Sequence, residues 1–288
     1  MSHIKRKIGP NSGLGALGLT TDGATELTFI GCGSAFSKKY YQNNLLVAQG
    51  DDHVLIDCGS RAPEALALLG LSVMDIHNYL ITHSHADHIG GLEEVMLVNR
   101  YVARKKPNLI VTEPYARLLW DKSLKGGCAY SERHDGKWLE LADFWNLLHP
   151  APLSGSQREH SSIKIGNIKL DLFRTMHIPD NARSWRESAL SYGVVINDRI
   201  AFSSDTRFDP GLFTFWQKNY NLDIIFHDCQ MFTGGVHSSI DELATLPAET
   251  KAKIHLMHYG DAALALPDKA SAAGFAGFVE QWHTYVFA

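Results

Sequence analysis

The chain predicts an α+β fold in which two β-sheets pack face to face with helices outside. Three observations point there. Short β-branched runs precede helical patterns, and that order recurs in the second half. Two hairpins in the second half carry Gly-Asn and Asn-Asp at their turns. Histidines and aspartates stand where several apolar runs end, at the transition from strand to loop. With 288 residues, of which 45% are hydrophobic, the chain can bury one large core or two fused halves.

Taken in order, residues 1–24 read as a loose leader or a surface-docked arm, since "IGPNSGLGALGL" is rich in glycine. The folded domain is expected over 25–288. "ELTFIG" (26–31), "NLLVA" (44–48) and "HVLIDCG" (53–59) read as strands. "SRAPEALALLG" (60–70) reads as a helix with Ser60 as N-cap, Pro63 in the first turn and Gly70 as its stop. "NYLIT" (78–82) is a buried strand, and Leu92, Val95, Met96, Val102 and Ala103 then follow at helical spacing. "NLIVT" (108–112) is a strand and "EPYARLLWDKS" a helix with Pro in its first turn. "WLELADFWNLL" fits either element. "SSIKIGNIKLDLFRT" and "LSYGVVINDRIAFSSD" are the hairpins, and "LDIIFHD" (222–228) and "KIHLMHY" (253–259) are buried strands that each end in a histidine.

Composition excludes several classes. A formal charge of −4 lacks the Lys and Arg excess that dominates binding to long nucleic acids. The four cysteines form no CxxC pair, which points to unpaired thiols in a reducing, cytoplasmic setting. No run of about 18 apolar residues exists, so no membrane span is expected.

The densest chemistry lies in "ITHSHADHIGG", residues 81–91. His83 and His85 stand two apart on a loop leaving a strand, and Asp87 and His88 follow at once. A turn there directs the first two at one metal and the next two at a neighbour. Imidazole with carboxylate suits zinc, and also manganese or iron. Four ligands do not satisfy two ions, so others must come from strand ends: His177, Asp205 and His258. A bridging carboxylate, Asp205, would hold two ions about 3.5–4 Å apart with a hydroxide between them.

Here "THSHADHIGG" resembles the HxHxDH signature of the metallo-β-lactamase fold, and "FIGCGSAF" and "VLIDCGS" are similar to its first strand-turn and its Asp-bearing strand. The resemblance runs from about Thr25 to the C-terminus. It implies a four-layer αββα sandwich. It implies His83, His85 and His177 on one metal, Asp87, His88 and His258 on the other, and Asp205 bridging. Asp57 would steady the histidine loop from outside the ligand set.

Asp205 stands where many β-lactamases carry Cys, which argues against antibiotic hydrolysis. His177 followed by Ser-Tyr-Gly is similar to the phosphodiesterase branch that includes the tRNA 3′-processing endonuclease. "FHDCQMF" (226–232) and "VHSS" (236–239) resemble that branch's HEAT and Gly-His-Ser-Thr motifs, with Asp-Cys-Gln in place of Glu-Ala-Thr. The interval from His177 to Asp205 holds no long basic arm, which argues against tRNA. What remains resembles the phosphodiesterases of small, cyclic nucleotides, including the anti-Pycsar proteins that degrade cyclic pyrimidine signals. The resemblance thus implies two divalent ions, a small nucleotide substrate and phosphodiester hydrolysis. Asp87 and His227 are the candidate catalytic residues, His227 as general acid oriented by Asp228. His237 and Ser238 are candidate phosphate contacts, with Ser239 read equally as a helix cap. Arg183, Trp185 and Arg186 fit either a substrate contact or a plain surface loop. The aromatic tail "GFAGFVEQWHTYVFA" reads as core or as the surface of a homodimer. Two other readings stay open: the tRNA-processing endonuclease, and a metal-binding scaffold without catalysis.

Overall fold

A computed structural model describes residues 4–8 and 17–288. Part of the expected leader therefore lies outside the described residues. The chain divides into two compact units, each built on one eight-stranded sheet.

The first unit comprises Gln42–Pro150 with flanking segments that end at Gly31 and resume at Trp282. Its sheet begins antiparallel: Ile4–Lys7, His283–Phe287, Thr25–Gly31, Asn44–Gln49 and Asp52–Ile56 lie side by side in that order. It then turns parallel through Asn78–Leu80, Asn108–Ile110 and Asn146–Leu148. Parallel pairing aligns the carboxyl ends of Asp52–Ile56 and Asn78–Leu80, and the segments starting at Asp57 and Ile81 leave the sheet at one edge. Open sheets place their ligand-binding loops at such an edge. The end of the aromatic tail, His283–Phe287, is a strand of this sheet, with Tyr285 fully buried against Phe29 at 5.9 Å between ring centroids.

The expected strand 53–59 stops at Ile56, because Asp57 adopts a left-handed φ of 64° and breaks the pleat. The helix expected from Ser60 runs Ala62–Leu68, with Arg61 at the N-cap and no side-chain cap. Ser60 is not the cap; its hydroxyl pairs instead with the Gln42 side chain, and Gln42 Oε1 accepts the Arg61 N–H at 3.0 Å. "WLELADFWNLL" is both elements: the helix Leu141–Phe144 and then the strand Asn146–Leu148.

The second unit comprises Cys32–Tyr41 and Ala151–Gln281. Its sheet runs Ala151–Pro152, His160–Ile165, Ile168–Arg174, Tyr192–Ile196, Ile200–Phe202, Ile224–Asp228, Ile254–Met257 and Gly277–Phe278. The expected hairpins are present. Asn197 and Asp198 turn the second with φ of 49° and 59°, a conformation these two residues tolerate. Ile200–Phe202, Ile224–Asp228 and Ile254–Met257 are parallel, so Asp205, Asp228 and His258 emerge at one edge.

A single ten-residue helix, Pro210–Asn219, covers part of this sheet. Asp209 caps it by accepting the Gly211 N–H, and Pro210 supplies a preset φ in the first turn. It buries Leu212, Phe213, Phe215 and Trp216 against Phe173, Val195, Ala201 and Ile225. Burying such side chains stabilises by about 1.5–3 kcal/mol each.

All four cysteines are free and buried. Among the described residues, no helix is long and apolar enough to cross a membrane.

Candidate metal centre

In the first unit the donors cluster because two loops clamp each other. Asp57, wholly buried, accepts the Thr82 N–H and the Thr82 hydroxyl proton, each at 2.8 Å. Its Oδ2 also lies 2.7 Å from His88 Nδ1. A carboxylate there accepts a hydrogen bond from Nδ1–H, so His88 presents the lone pair of Nε2, 3.3 Å from Asp87 Oδ2. Burial raises the Asp57 carboxyl pKa, and His88 and Thr82 work against that rise. His83 Nε2 and His85 Nδ1 lie 3.1 Å apart, and the His83 and His88 rings are 4.0 Å between centroids. The loop carrying these donors is stitched to residues 58–60: Cys58 donates to the His88 carbonyl at 2.8 Å and Ser60 to the Ala86 carbonyl at 3.0 Å. Gly59 is required by this approach, since a Cβ there would lie 2.1 Å from the Asp87 carbonyl oxygen.

In the second unit Asp205 is the hub. Its Oδ2 lies 3.7 Å from His177 Nε2, 3.5 Å from His258 Nε2 and 3.9 Å from His237 Nδ1. His177 Nδ1 lies 2.8 Å from the Val236 carbonyl, to which it donates, and this turns Nε2 toward Asp205. Burial drives the His177 pKa down to about 4, against the pull of Asp205, so its neutral, ligating form prevails. His258 sits at φ 60° with its N–H on the Cys32 carbonyl at 2.8 Å.

Asp228 organises the rest. Its buried carboxylate accepts the Thr206 N–H at 2.9 Å and pairs with His237 Nδ1 at 2.7 Å, while Oδ1 lies 3.3 Å from His258 Nδ1. Burial alone would raise its pKa; the charge and hydrogen bonds of His237 and His258 prevail, and the net shift is downward. Burial alone would lower the His237 pKa; Asp228 reverses that, and the net shift is upward. One donor atom from each of Asp205, Asp228, His237 and His258 falls within 4.8 Å of all the others.

Three expectations need correction or relocation. His227 does not face these donors. Neighbouring residues of a strand point to opposite faces, so Asp228 at the donor cluster forces His227 the other way. There its ring stacks on Phe213 at 5.3 Å and 12°, beside Trp216 at 6.1 Å, wholly buried in the core. A general-acid role does not fit that position, and Asp228 orients His237 and His258 instead. Ser238 is wholly buried and donates its hydroxyl proton to the Thr206 carbonyl at 2.9 Å, so it holds a turn and presents no phosphate contact. Ser239 is the cap of the next helix, in a reciprocal capping box with Glu242. Arg183, with Trp185 and Arg186, lines a separate cavity of about 380 Å³ whose walls include none of the seven expected metal ligands.

The Asp228–His237 pair is what residue-by-residue reading missed. The signal was available: in a strand, adjacent His and Asp cannot serve one site.

The donor chemistry suits divalent ions. Imidazole nitrogens and carboxylate oxygens converge in both units, and the carboxyls hold the histidine tautomers.

A model of the family described as "Anti-Pycsar protein Apyc1" matches residues 25–285. The chain belongs to the anti-Pycsar Apyc1 family. A member from Bacillus phage vB_BsuM-Goe3 is 41% identical over 244 residues, covering 82% of this chain and 90% of that protein. Among solved structures, the metallo-β-lactamase fold protein YhfI of Bacillus subtilis matches with a TM-score of 0.68 at 16% identity, covering 92% of this chain and 100% of that one. A diphosphatase of the PhnP family matches with a TM-score of 0.64 at 19% identity, over 92% and 98%. These likenesses show that the Apyc1-family chain has the α+β metallo-β-lactamase fold. With that family and fold, it is a metal-dependent hydrolase of the phosphodiesterase class.

Proposed function

We propose that the chain hydrolyses small cyclic nucleotides at a two-metal centre, with His237 as proton donor to the leaving group. Family membership supports the substrate class, since anti-Pycsar proteins degrade cyclic nucleotides. His83, His85 and His177 would hold one ion, Asp87, His88 and His258 the other, and Asp205 both. Zinc suits these donors, as do manganese and iron. When bound, two such ions lower the pKa of a water and neutralise phosphate charge.

The observation that carries the acid assignment is the 2.7 Å pair of Asp228 and His237, set 3.9 Å from Asp205. His237 lies outside the seven expected ligands. Its Nδ1 is committed to Asp228, so its Nε2 edge is the one that can carry a proton to substrate. Water oxygen bonds to phosphorus and loses its surplus proton to solvent, the ester P–O bond breaks with its electron pair on the departing oxygen, and that alkoxide takes the Nε2 proton, which His237 regains from solvent. Asp228 stays ionised throughout and stabilises the imidazolium before transfer. Asp57 keeps His88 in its ligating tautomer.

Processing of tRNA is disfavoured. Among the described residues, the stretch from His177 to Asp205 holds a short loop and the hairpin Tyr192–Ile196 with Ile200–Phe202, and no long basic arm. Homodimer formation and a cytoplasmic setting belong to the same proposal.

Metal-loaded protein assayed against a panel of cyclic nucleotides, linear dinucleotides and precursor tRNA tests the reading. Turnover of cyclic nucleotides is expected. Trimming of tRNA without any cyclic turnover would overturn the substrate class, and inertness toward every phosphodiester with metals bound would favour a binding module.

A further inference from the structure

The cavity beside Arg183 is lined mainly by cationic and polar side chains. It measures about 380 Å³, within the range of small-molecule sites. Four cationic side chains line it, Arg158, Arg183, Arg186 and Lys218, against one carboxylate, Asp209. That carboxylate is already paired with the buried Arg158 guanidinium. Three positive charges are thus left facing a small volume.

The arrangement is built. Arg186 stacks on the Trp185 ring at 4.3 Å, with Arg174 at 5.6 Å and Arg158 at 5.9 Å from the same centroid. Attraction to the ring face offsets part of the repulsion between guanidiniums. The loop bearing Arg183 and Arg186 is held down by Arg174, nine-tenths buried, whose Nη2 donates to the carbonyls of Trp185, Ser188 and Ala189 at 3.0–3.1 Å. Arg186 Nη2 also donates to the Gln157 carbonyl at 2.9 Å. Nearby acids are engaged elsewhere: Glu159 faces Arg174 at 3.7 Å, and Glu187 accepts the Arg183 backbone N–H at 3.0 Å.

Like charges gathered in one concavity repel, and a dianion relieves that cost. Guanidinium donors match the oxygens of phosphate, and the indole adds an apolar wall. We propose that this cavity binds a phosphate dianion, inorganic or carried as a monoester, at a site separate from the metal ligands. The proposal stands on the cavity alone and does not depend on which phosphodiester the enzyme cleaves.

Calorimetric titration of the metal-loaded protein with inorganic phosphate, and separately with CMP, tests it. The double variant Arg183→Glu/Lys218→Glu changes exposed side chains, and Lys164→Glu/Lys122→Glu carries the same charge change elsewhere. Wild type and control should show a binding event that the Arg183/Lys218 variant weakens about tenfold or more. If CMP alone binds there, the ligand is a nucleotide; if both bind, the phosphate itself suffices; either supports the site. Hydrolysis of bis(p-nitrophenyl) phosphate is measured on the same three proteins. Unchanged kcat and KM support a separate site. Phosphate affinity equal in all three would overturn the proposal. A variant whose KM for substrate rises in step with the lost binding would also overturn it, by making the cavity part of the active centre. A chain inactive on every phosphodiester yet losing phosphate binding in the variant would sink the functional reading and leave this one standing.

Discussion

His237 Nδ1 lies 2.7 Å from Asp228 Oδ2, although the two residues are nine positions apart and only Asp228 belongs to a strand. The buried carboxylate orients the imidazole and simultaneously faces His258. This one pairing sets His237 apart from the neighbouring His177 and His258, neither of which lies so near the Asp228 carboxylate.

His237→Ala should lower kcat on cyclic nucleotides by about 10²–10⁴-fold while leaving metal content intact. Loss on bis(p-nitrophenyl) phosphate should be far smaller, since its phenolate leaves without a proton. His227→Ala should do the reverse of what a catalytic residue does. It removes a ring packed on Phe213 and Trp216, so it should cost about 1–3 kcal/mol in urea unfolding and spare kcat per folded molecule. Equal losses on both substrates in His237→Ala would reduce that residue to positioning the phosphate.

Two transition-metal ions per chain are expected from elemental analysis of protein purified without chelator. Asp205→Ala should lower occupancy of both, because its Oδ2 lies within 3.7 Å of both His177 and His258. One tightly held ion, untouched by that change, would argue against a shared carboxylate.

Asp57→Ala removes the acceptor of Thr82 N–H, Thr82 hydroxyl and His88 Nδ1 together. Such outer partners are worth about 10–100-fold in metal affinity or activity. Competition with a chelator should show that loss, while Asp57→Asn, which keeps an acceptor, should lose less. Undiminished affinity in Asp57→Ala would mean that His88 holds its orientation without help.

Gly59→Ala should be one of the most disruptive small changes in the chain. Its Cβ would collide with the Asp87 carbonyl, which is backbone and cannot step aside without moving the ligand loop. A destabilisation of about 1–3 kcal/mol or more is expected, with weakened metal binding beyond it. Thermal unfolding with and without added zinc would separate the two effects; wild-type behaviour in both would show that the loop has slack.

Much of the molecule was legible in the order of its residues. The ligand string was readable because its chemistry is local: histidines two apart on a strand exit need no distant information to look like donors. The hairpins declared themselves through Gly166-Asn167 and Asn197-Asp198, residue types that favour turns and sit inside the hairpins they close. The N-cap of the first helix was misread because Ser60 is drawn to Gln42, a partner eighteen positions away in another segment. The expectation that His227 acts as general acid fails for a similar reason. In a linear text the adjacency of His227 and Asp228 says that they face opposite ways, but not which of them faces the donors. The choice between them falls to the register of Ile224–Asp228 in its sheet, which points Asp228 at the donors and His227 into the apolar layer under Pro210–Asn219. Residue order was therefore enough to gather the candidate donors, because their chemistry is local. Which histidine Asp228 holds emerges with the folded chain, because it depends on the face each strand residue presents and on a loop folding back across it.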